Sequence, residues 1–340
     1  MTRNTSKRDR KRRAILESLR SAGGPRPSAA VARELRARGL EVSERTVRGY
    51  LAELRRSGLT EPVGRRGHRL TTRGLAELEA ATVLDRVGFL SAKIDQMTYR
   101  MDFDLTTRRG LVVANASVVT REQLARGTDM ILQVFERGYA MGNLLTLLGP
   151  GERVGDLTIP DGRIGFCTVC SISLNGVLLK HGVPTRSRFA GLLELVDWKP
   201  TRFVELITYS GTSIDPLEVF IRSGMTDYIG AVREGRGRIG ASFREVPAES
   251  REVVLQLADK LERVGMGGFL EVGYSGQPVF GIPVGEGHAG AVLIGGLNPI
   301  SVLEEMGYRV ESRALSGLLP YTRFFHYREL PERLREFSAG

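Results

Sequence analysis

Two stretches of this chain repeat one another, and the repeat limits the fold more than any other feature. Residues 159–183, IPDGRIGFCTVCSISLNGVLLKHGV, align without a gap to residues 284–308, VGEGHAGAVLIGGLNPISVLEEMGY, at an offset of 125 residues. Gly162 falls on Gly287, Gly165 on Gly290, Val177-Leu178 on Val302-Leu303, and Gly182 on Gly307. Upstream, Ala116-Ser117 falls on Ala241-Ser242 at the same offset, and ILQVFERG resembles LADKLERVG within one or two residues of it. Each copy reads as a strand, a helix, a pair of strands, then a Gly-rich strand running into a helix. Two such units make an α/β body with an internal pseudo-repeat, its two strand-to-helix turns in corresponding positions. The segment between them, WKPTRFVELITYSGTSIDPLEVFIRSGM, has no twin. Specificity is expected there.

Charge separates this body from what precedes it. The chain carries a formal +10, yet residues 1–75 alone hold 20 Lys/Arg against 7 Asp/Glu, so the remainder is slightly acidic. A basic head on an acidic body suggests a module that meets a polyanion. After a basic arm, Lys7 to Arg13, the spacing of Ile15, Leu16 and Leu19 predicts a helix. Ser28 is expected to cap a second helix ending at Gly39, and Ser43 a third running to Ser57. EPVGRRGHRLT then reads as a hairpin with arginines at its tip, and Thr71 or Thr72 caps a further helix. This order is a winged helix-turn-helix domain, helical with a β-wing, over residues 1–80.

With Val47, Leu51 and Leu54 facing the core, Ser43, Arg45, Thr46 and Arg48 remain for the major groove. Arg55, Arg56, Arg65, Arg66, His68 and Arg69 would meet phosphates or the minor groove. The alternative is a solvated basic face on a protein-binding module. No apolar run approaches the ~18 residues of a membrane span, and no secretory signal follows the basic N-terminus. Cytoplasmic residence is therefore expected.

In the body, three helix starts are rich in small polar residues. The first Gly-rich strand ends at Cys167-Thr168-Val169-Cys170-Ser171, with its helix expected near Leu174-Asn175. In its twin, Asn298 is expected as N-cap ahead of Pro299. In the insertion, Asp215 caps a helix that opens with Pro216. Helix N-termini offer N–H groups and a positive dipole end, which suit a small carboxylate or phosphate. Thr168, Cys170, Ser171, Asn175, Lys180, Thr212, Ser213 and Asn298 are the candidate ligand residues, with Arg186 and Arg188 near enough in sequence to neutralise an anion. The plainer reading makes these turns ordinary caps.

Cys167 and Cys170 are the only cysteines. Their spacing suits half a zinc site, but no second pair exists and no histidine lies at ligand spacing, so no metal site is expected. On a strand they face opposite sides. A nucleophilic Cys170 would need His181 as base. Trp198 is expected in packing or at an edge. Tyr321, Phe324, Phe325 and Tyr327 are expected to seal the end of the body or to form a dimer contact.

CSISLNGVLLKHGVP, FAGLLEL, YSGTSIDPLEVFI and GASFREVP give the chain its most specific resemblance. It resembles the NrpR family, archaeal repressors of nitrogen-assimilation genes, over nearly its whole length. The resemblance implies a winged helix followed by one regulatory domain, residues 85–330, in an allosteric homodimer that is not an enzyme. It implies that the regulatory domain binds 2-oxoglutarate and then releases a double-stranded DNA operator built as an inverted repeat. It implies no cofactor, no catalytic residue and no membrane partner, and a second NrpR-type subunit as a further partner. Two rival readings are a co-repressor adaptor without its own operator and a Cys-dependent enzyme.

Overall fold

The computed structural model describes residues 2–85 and 89–337; the side chains of residues 2–10 and 79–85 lie outside the described set, including those of Lys7, Arg8 and Arg10 in the basic arm. The chain divides into two compact units, residues 1–86 and 87–340.

The first unit runs α1 (Thr2–Ser21), α2 (Ser28–Ala37), α3 (Glu44–Arg56), β1 (Thr60–Pro62), β2 (His68–Leu70) and α4 (Thr72–Asp85). The arm is thus the opening of α1 rather than a separate segment. Val47, Leu51 and Leu54, one and two turns apart on α3, bury against Ile15, Leu19, Val31 and Leu35. Ser43 caps α3 by accepting the Thr46 N–H, and the Leu59 N–H returns to the Leu54 carbonyl past Gly58, which has φ +71°. Thr71 caps α4 by accepting the Gly74 N–H. Ser28 does not cap α2. Pro27 holds that position with φ −70°, and the Ser28 hydroxyl instead donates to Glu44 at 3.0 Å. The wing hairpin β1–β2 gains a third member through a bridge between Arg26 and His68. Gly67 makes that possible: at φ +104°, a Cβ there would lie 2.1 Å from the Arg26 carbonyl oxygen.

The second unit opens with α5 (Phe89–Arg100). Its first half is β3 (Leu111–Val119), α6 (Arg121–Glu136), β4 (Leu144–Leu148), the ribbon β5 (Arg153–Val154) and β6 (Leu157–Thr158), β7 (Ile164–Val169), α7 (Ile172–Lys180) and β8 (Arg186–Val196). Between the halves lie β9 (Lys199–Thr208), a 3-10 turn at Tyr209–Gly211, α8 (Pro216–Arg222) and α9 (Tyr228–Glu234). The second half repeats the plan with β10 (Gly237–Pro247), α10 (Arg251–Arg263), β11 (Phe269–Val272), β12 (His288–Ile294), α11 (Asn298–Glu305) and β13 (Glu311–Pro320), and β14 (Phe325–His326) and α12 (Leu330–Glu336) follow.

One sheet is ordered β13-β3-β7-β4-β14 and the other β11-β12-β10-β8-β9. Every pairing is antiparallel. Each half is a split βαβ unit whose last strand is exchanged: β8 of the first half pairs with β10, and β13 of the second pairs with β3. The expected repeat is present, with one change of register. Ala114 opposes Val169 as Ala241 opposes Ile294. The twins on the first strands are therefore Ala114-Asn115 and Ala241-Ser242, not Ala116-Ser117 and Ala241-Ser242. A two-residue slip leaves every side chain on its original face, so alternation alone does not reveal it.

Sheet β13-β3-β7-β4-β14 is covered on both faces. Val112, Val113, Leu145 and Phe166 belong to the main core, while Ala114, Ala116 and Cys167 pack with Val154, Leu157 and Ile159 from the β5–β6 ribbon and the turn after it. Burial on both sides explains why β3 shows no polar alternation. No helix among the described residues is long and apolar enough to cross a membrane.

Candidate functional site

In the first unit, Ser43, Arg45, Thr46, Arg48, Arg55, Arg56, Arg65, Arg66 and Arg69 are exposed, and His68 is half-buried. α3 and the wing enclose an open cleft of about 760 Å3, lined among others by Arg48, Arg55, Arg56, Arg65 and His68. Some of these arginines already have partners: Arg48 bonds Glu44 and Ser28, and Arg69 bonds Glu61 at 2.6 Å. Arg45, Arg55, Arg65 and Arg66 have no ion-pair partner among the described residues. Burial, and then the charge of Arg55, push the His68 imidazole below its ordinary value. At neutral pH the His68 ring is therefore largely uncharged.

In the second unit, the pseudo-two-fold brings the starts of α7 and α11 together. Cys170, Ser171 and Ile172 from one half and Gly296 and Leu297 from the other line a single narrow void of about 20 Å3, room for one water-sized sphere. Asn115 and Ser242, the structural twins on β3 and β10, line it from below, and Tyr209, Asp215 and Leu217 from the insertion close one side. Gly296 lets the two turns approach, since a Cβ there would fall 2.2 Å from Asn115 Nδ2. Opposite it, β13 bulges between Arg313 and Gly317. Leu315, in the bulge, holds a left-handed φ of +46°, and its N–H donates to Asn115 Oδ1 at 3.2 Å. A leucine in that region is strained and persists only where its surroundings fix it.

The walls of the void mix apolar side chains, Ile94, Ile172, Leu217 and Leu297 among them, with a few polar groups. Asp215 accepts the Leu217 N–H at 2.9 Å, as expected of a cap. Burial, then the charge of Glu218, push its carboxyl up to about 7. Behind Ser171 stands Arg244, only 1% exposed. Its Nη1 donates to the Ser171 carbonyl at 3.1 Å and its Nη2 to the Ser171 hydroxyl at 2.9 Å.

The expected ligand residues separate into two groups. Cys170 and Ser171 line the void. Thr168 lies just beneath, donating to the Gly296 carbonyl at 2.6 Å and accepting from Asn115 at 3.4 Å. The other five are occupied elsewhere. Asn175, one turn along α7, donates to Ser187 at 3.1 Å. Lys180 donates to the Phe103 carbonyl from the far end of that helix. Thr212 bonds Ile214 within its own turn. Ser213 faces an open cleft of about 420 Å3 that adjoins the void at Asp215 and Ala314. Asn298 is not a cap, because Leu297 takes that position. It is a fully buried brace instead, donating to the Tyr139 and Gly240 carbonyls and accepting from the Tyr228 hydroxyl. α7 begins at Ile172, two residues earlier than expected. Arg186 and Arg188 do not reach the void; both pair with Glu245. Arg244, Asn115 and Ser242 were absent from the expected set.

The two cysteines face opposite sides, Cys167 in the ribbon-side core and Cys170 in the main core. Burial pushes Cys167 up to about 12 and Cys170 up to about 11, so both are neutral thiols at physiological pH. His181 sits at the opposite end of α7 from Cys170, its Nδ1 against the Val177 carbonyl. Among the described residues no group of three or more His, Cys, Asp and Glu is placed to hold a metal. Trp198 stacks on Gly235 and under Arg137. Tyr327 stacks on Phe135 and Tyr321 packs on Phe103, so these aromatics seal the body.

Comparison with known proteins bears on both units. Residues 87–326 match the family model described as NrpR regulatory domains NRD1 and 2. Residues 13–78 match the ribonuclease R winged-helix domain. The chain is 33% identical to the global nitrogen regulator NrpRI of Methanosarcina mazei, over 92% of this chain and 96% of that one. It is 31% identical to the global nitrogen regulator NrpR of Methanococcus maripaludis over 89% of its own length, but spans only 53% of that longer protein. A crystal structure of a nitrogen repressor-like protein from Methanococcus jannaschii superposes with a TM-score of 0.59 at 25% identity, covering 69% of this chain and 97% of the other.

Proposed function

The chain belongs to the NrpR family, a family of regulators and not of enzymes, and on that premise we propose that it is a homodimeric, DNA-binding repressor of nitrogen-assimilation genes that 2-oxoglutarate releases from its operator. Ser43, Arg45 and Thr46, at the N-terminal end of the recognition helix, enter the major groove. Arg55, Arg56, Arg65 and Arg66 contact the flanking phosphates. Two heads in a dimer read an inverted repeat. The effector binds where the starts of α7 and α11 meet, around Cys170 and Ser171, and acts only as far as it prefers the conformation that does not bind DNA. The observation that carries this reading is the exposed, ion-pair-free arginine set on α3 and its wing, in a chain whose body matches the regulatory domain.

The test is a titration of the purified protein against a promoter fragment of a nitrogen-assimilation operon, at fixed salt, with and without 2-oxoglutarate. Tight sequence-dependent binding, weakened ~5- to 150-fold by the effector, is expected. Arg45→Ala should weaken operator binding by about 1 kcal/mol and relax base preference at one position. Binding that ignores 2-oxoglutarate would overturn the effector. Absence of sequence-dependent binding would overturn the repressor and favour an adaptor.

A further inference from the structure

A helix on the outside of a folded body ordinarily turns a polar face to water. α5 does not. On its inner side Leu90 and Ile94 are buried in the main core, and Met97 packs against it. On the opposite side Phe89, Ala92, Gln96 and Tyr99 are all exposed. Phe89 is 56% exposed and Tyr99 83%, the highest exposure of any large hydrophobic side chain among the described residues. Single apolar residues on a surface need no explanation, but these two stand at the ends of one stripe. Its steps of three, four and three residues follow the period that keeps a seam turned toward a partner helix.

The charges beside the stripe choose the partner. With Phe89 and Gln96 at the first position of a heptad and Ala92 and Tyr99 at the fourth, Asp95 takes the seventh and Lys93 and Arg100 the fifth. In a parallel pair, the seventh position of one helix meets the fifth of the other five residues on. That sets Asp95 against Arg100 of a second copy, twice over. An antiparallel pair would instead face Lys93 with Arg100, like charge on like. Asp95 and Arg100 have no ion-pair partner among the described residues, whereas the charge of Lys93 already acts on Asp215 and Glu218 of its own body. α5 is also firmly seated: Gly176 on α7 lets it lie close, since a Cβ there would fall 3.1 Å from the Thr98 carbonyl oxygen.

We propose that α5 is a dimer seam, its Phe89–Ala92–Gln96–Tyr99 stripe packing in parallel against the same stripe of a second copy. This rests on the homodimer reading above and names the surface that serves it. A two-fold axis running along the pair makes the contact self-complementary. It also brings together the N-terminal ends of the two helices, each joined to its winged helix by only the three residues between Asp85 and Phe89.

Sedimentation equilibrium of the full chain over a range of concentrations tests it. Tyr99→Asp should weaken self-association roughly 10-fold or more, with an unchanged far-ultraviolet circular dichroism spectrum, because the position is exposed. Asp95→Arg should weaken it about threefold to tenfold, and adding Arg100→Asp to that variant should bring it back to within about twofold of the parent. In a parallel seam Gln96 faces its own counterpart. Both native cysteines are buried, so Gln96→Cys should give a disulfide-linked dimer on mild oxidation while the parent does not. If the parent dimerises and Tyr99→Asp dimerises as tightly, the seam lies elsewhere and this inference falls. Failure of the charge exchange to restore association would overturn the parallel pairing. A parent that stays monomeric at every concentration removes the homodimer reading first and this one with it.

Discussion

The two halves of the body follow one backbone plan, yet they fasten their helices differently. In the first half a single hydroxyl does it: Ser173 at the start of α7 bonds both the N–H and the carbonyl of Val113 on β3. In the second half the same place on β10, Gly240, is held by two larger groups. Its N–H donates to the Tyr228 hydroxyl, and its carbonyl accepts from Asn298 at the start of α11. Tyr228 comes from α9, which the first half lacks. The same half carries the buried Arg244 opposite a plain Ser117. A duplicated frame thus keeps its strand order and places its differences around the axis.

That comparison breaks most readily at Asn298. Asn298→Ala removes the acceptor of the Tyr228 hydroxyl and the side-chain donor to the Tyr139 carbonyl, while the Gly240 carbonyl keeps the Gly295 N–H, and should cost about 3 kcal/mol in urea unfolding. Ser173→Ala, at the simpler joint, should cost about 1–2 kcal/mol by the same measurement; equal losses would mean the two joints are equivalent after all. Asp215, from the twinless insertion, tests whether the asymmetry reaches the charges. Its carboxyl titrates at about 7 in the folded body against an ordinary value near 3.8, so the folded form holds its proton more tightly. Stability should therefore fall as pH rises from about 4 to 7 and stay lower above that. Asp215→Asn should recover about 2 kcal/mol at pH 8, with the gain fading as pH drops through 7 towards 4. A gain independent of pH would remove the carboxyl from that account. A further probe is Gly296→Ala, whose Cβ would meet Asn115 Nδ2 at 2.2 Å and the Val169 carbonyl oxygen at 2.7 Å. A loss of about 1–2 kcal/mol is expected.

What was legible in the sequence was what is local. The Ser43 cap, the glycines at 39 and 58 and the spacing of Val47, Leu51 and Leu54 all act within a few residues, and α3 forms as they indicate. The Gly spacing of the Gly-rich strands marked the repeat and brought Cys170 and Ser171 to the junction. Strand pairing is decided far along the chain, so the exchange of β8 and β13 left no trace in either half. Arg244 escaped because a polar face on an alternating strand ordinarily means solvent. β10 is buried on both faces from Ile239 to Glu245, so its Ser242 and Arg244 face inward. Thr212 and Ser213 lie outside the lining of the void, Thr212 bonded within its own turn and Ser213 in the adjoining cleft. A Gly-Thr-Ser turn presents the same residues whether it cradles a ligand or bonds to itself.

The exchanged strand also sets a timetable for synthesis. Ser117 and Ser312, neighbours across β3 and β13, lie 195 residues apart in the chain. The winged helix needs only contacts within its own first eighty-odd residues, so it can be complete while most of the body is still being made. The first sheet cannot be, because β3 keeps an open edge until β13 has left the ribosome. A long, apolar, unpaired edge is a template for pairing with the wrong chain, and contacts this distant close slowly. For most of its synthesis, this protein is a finished winged-helix head trailing an unfinished and aggregation-prone body.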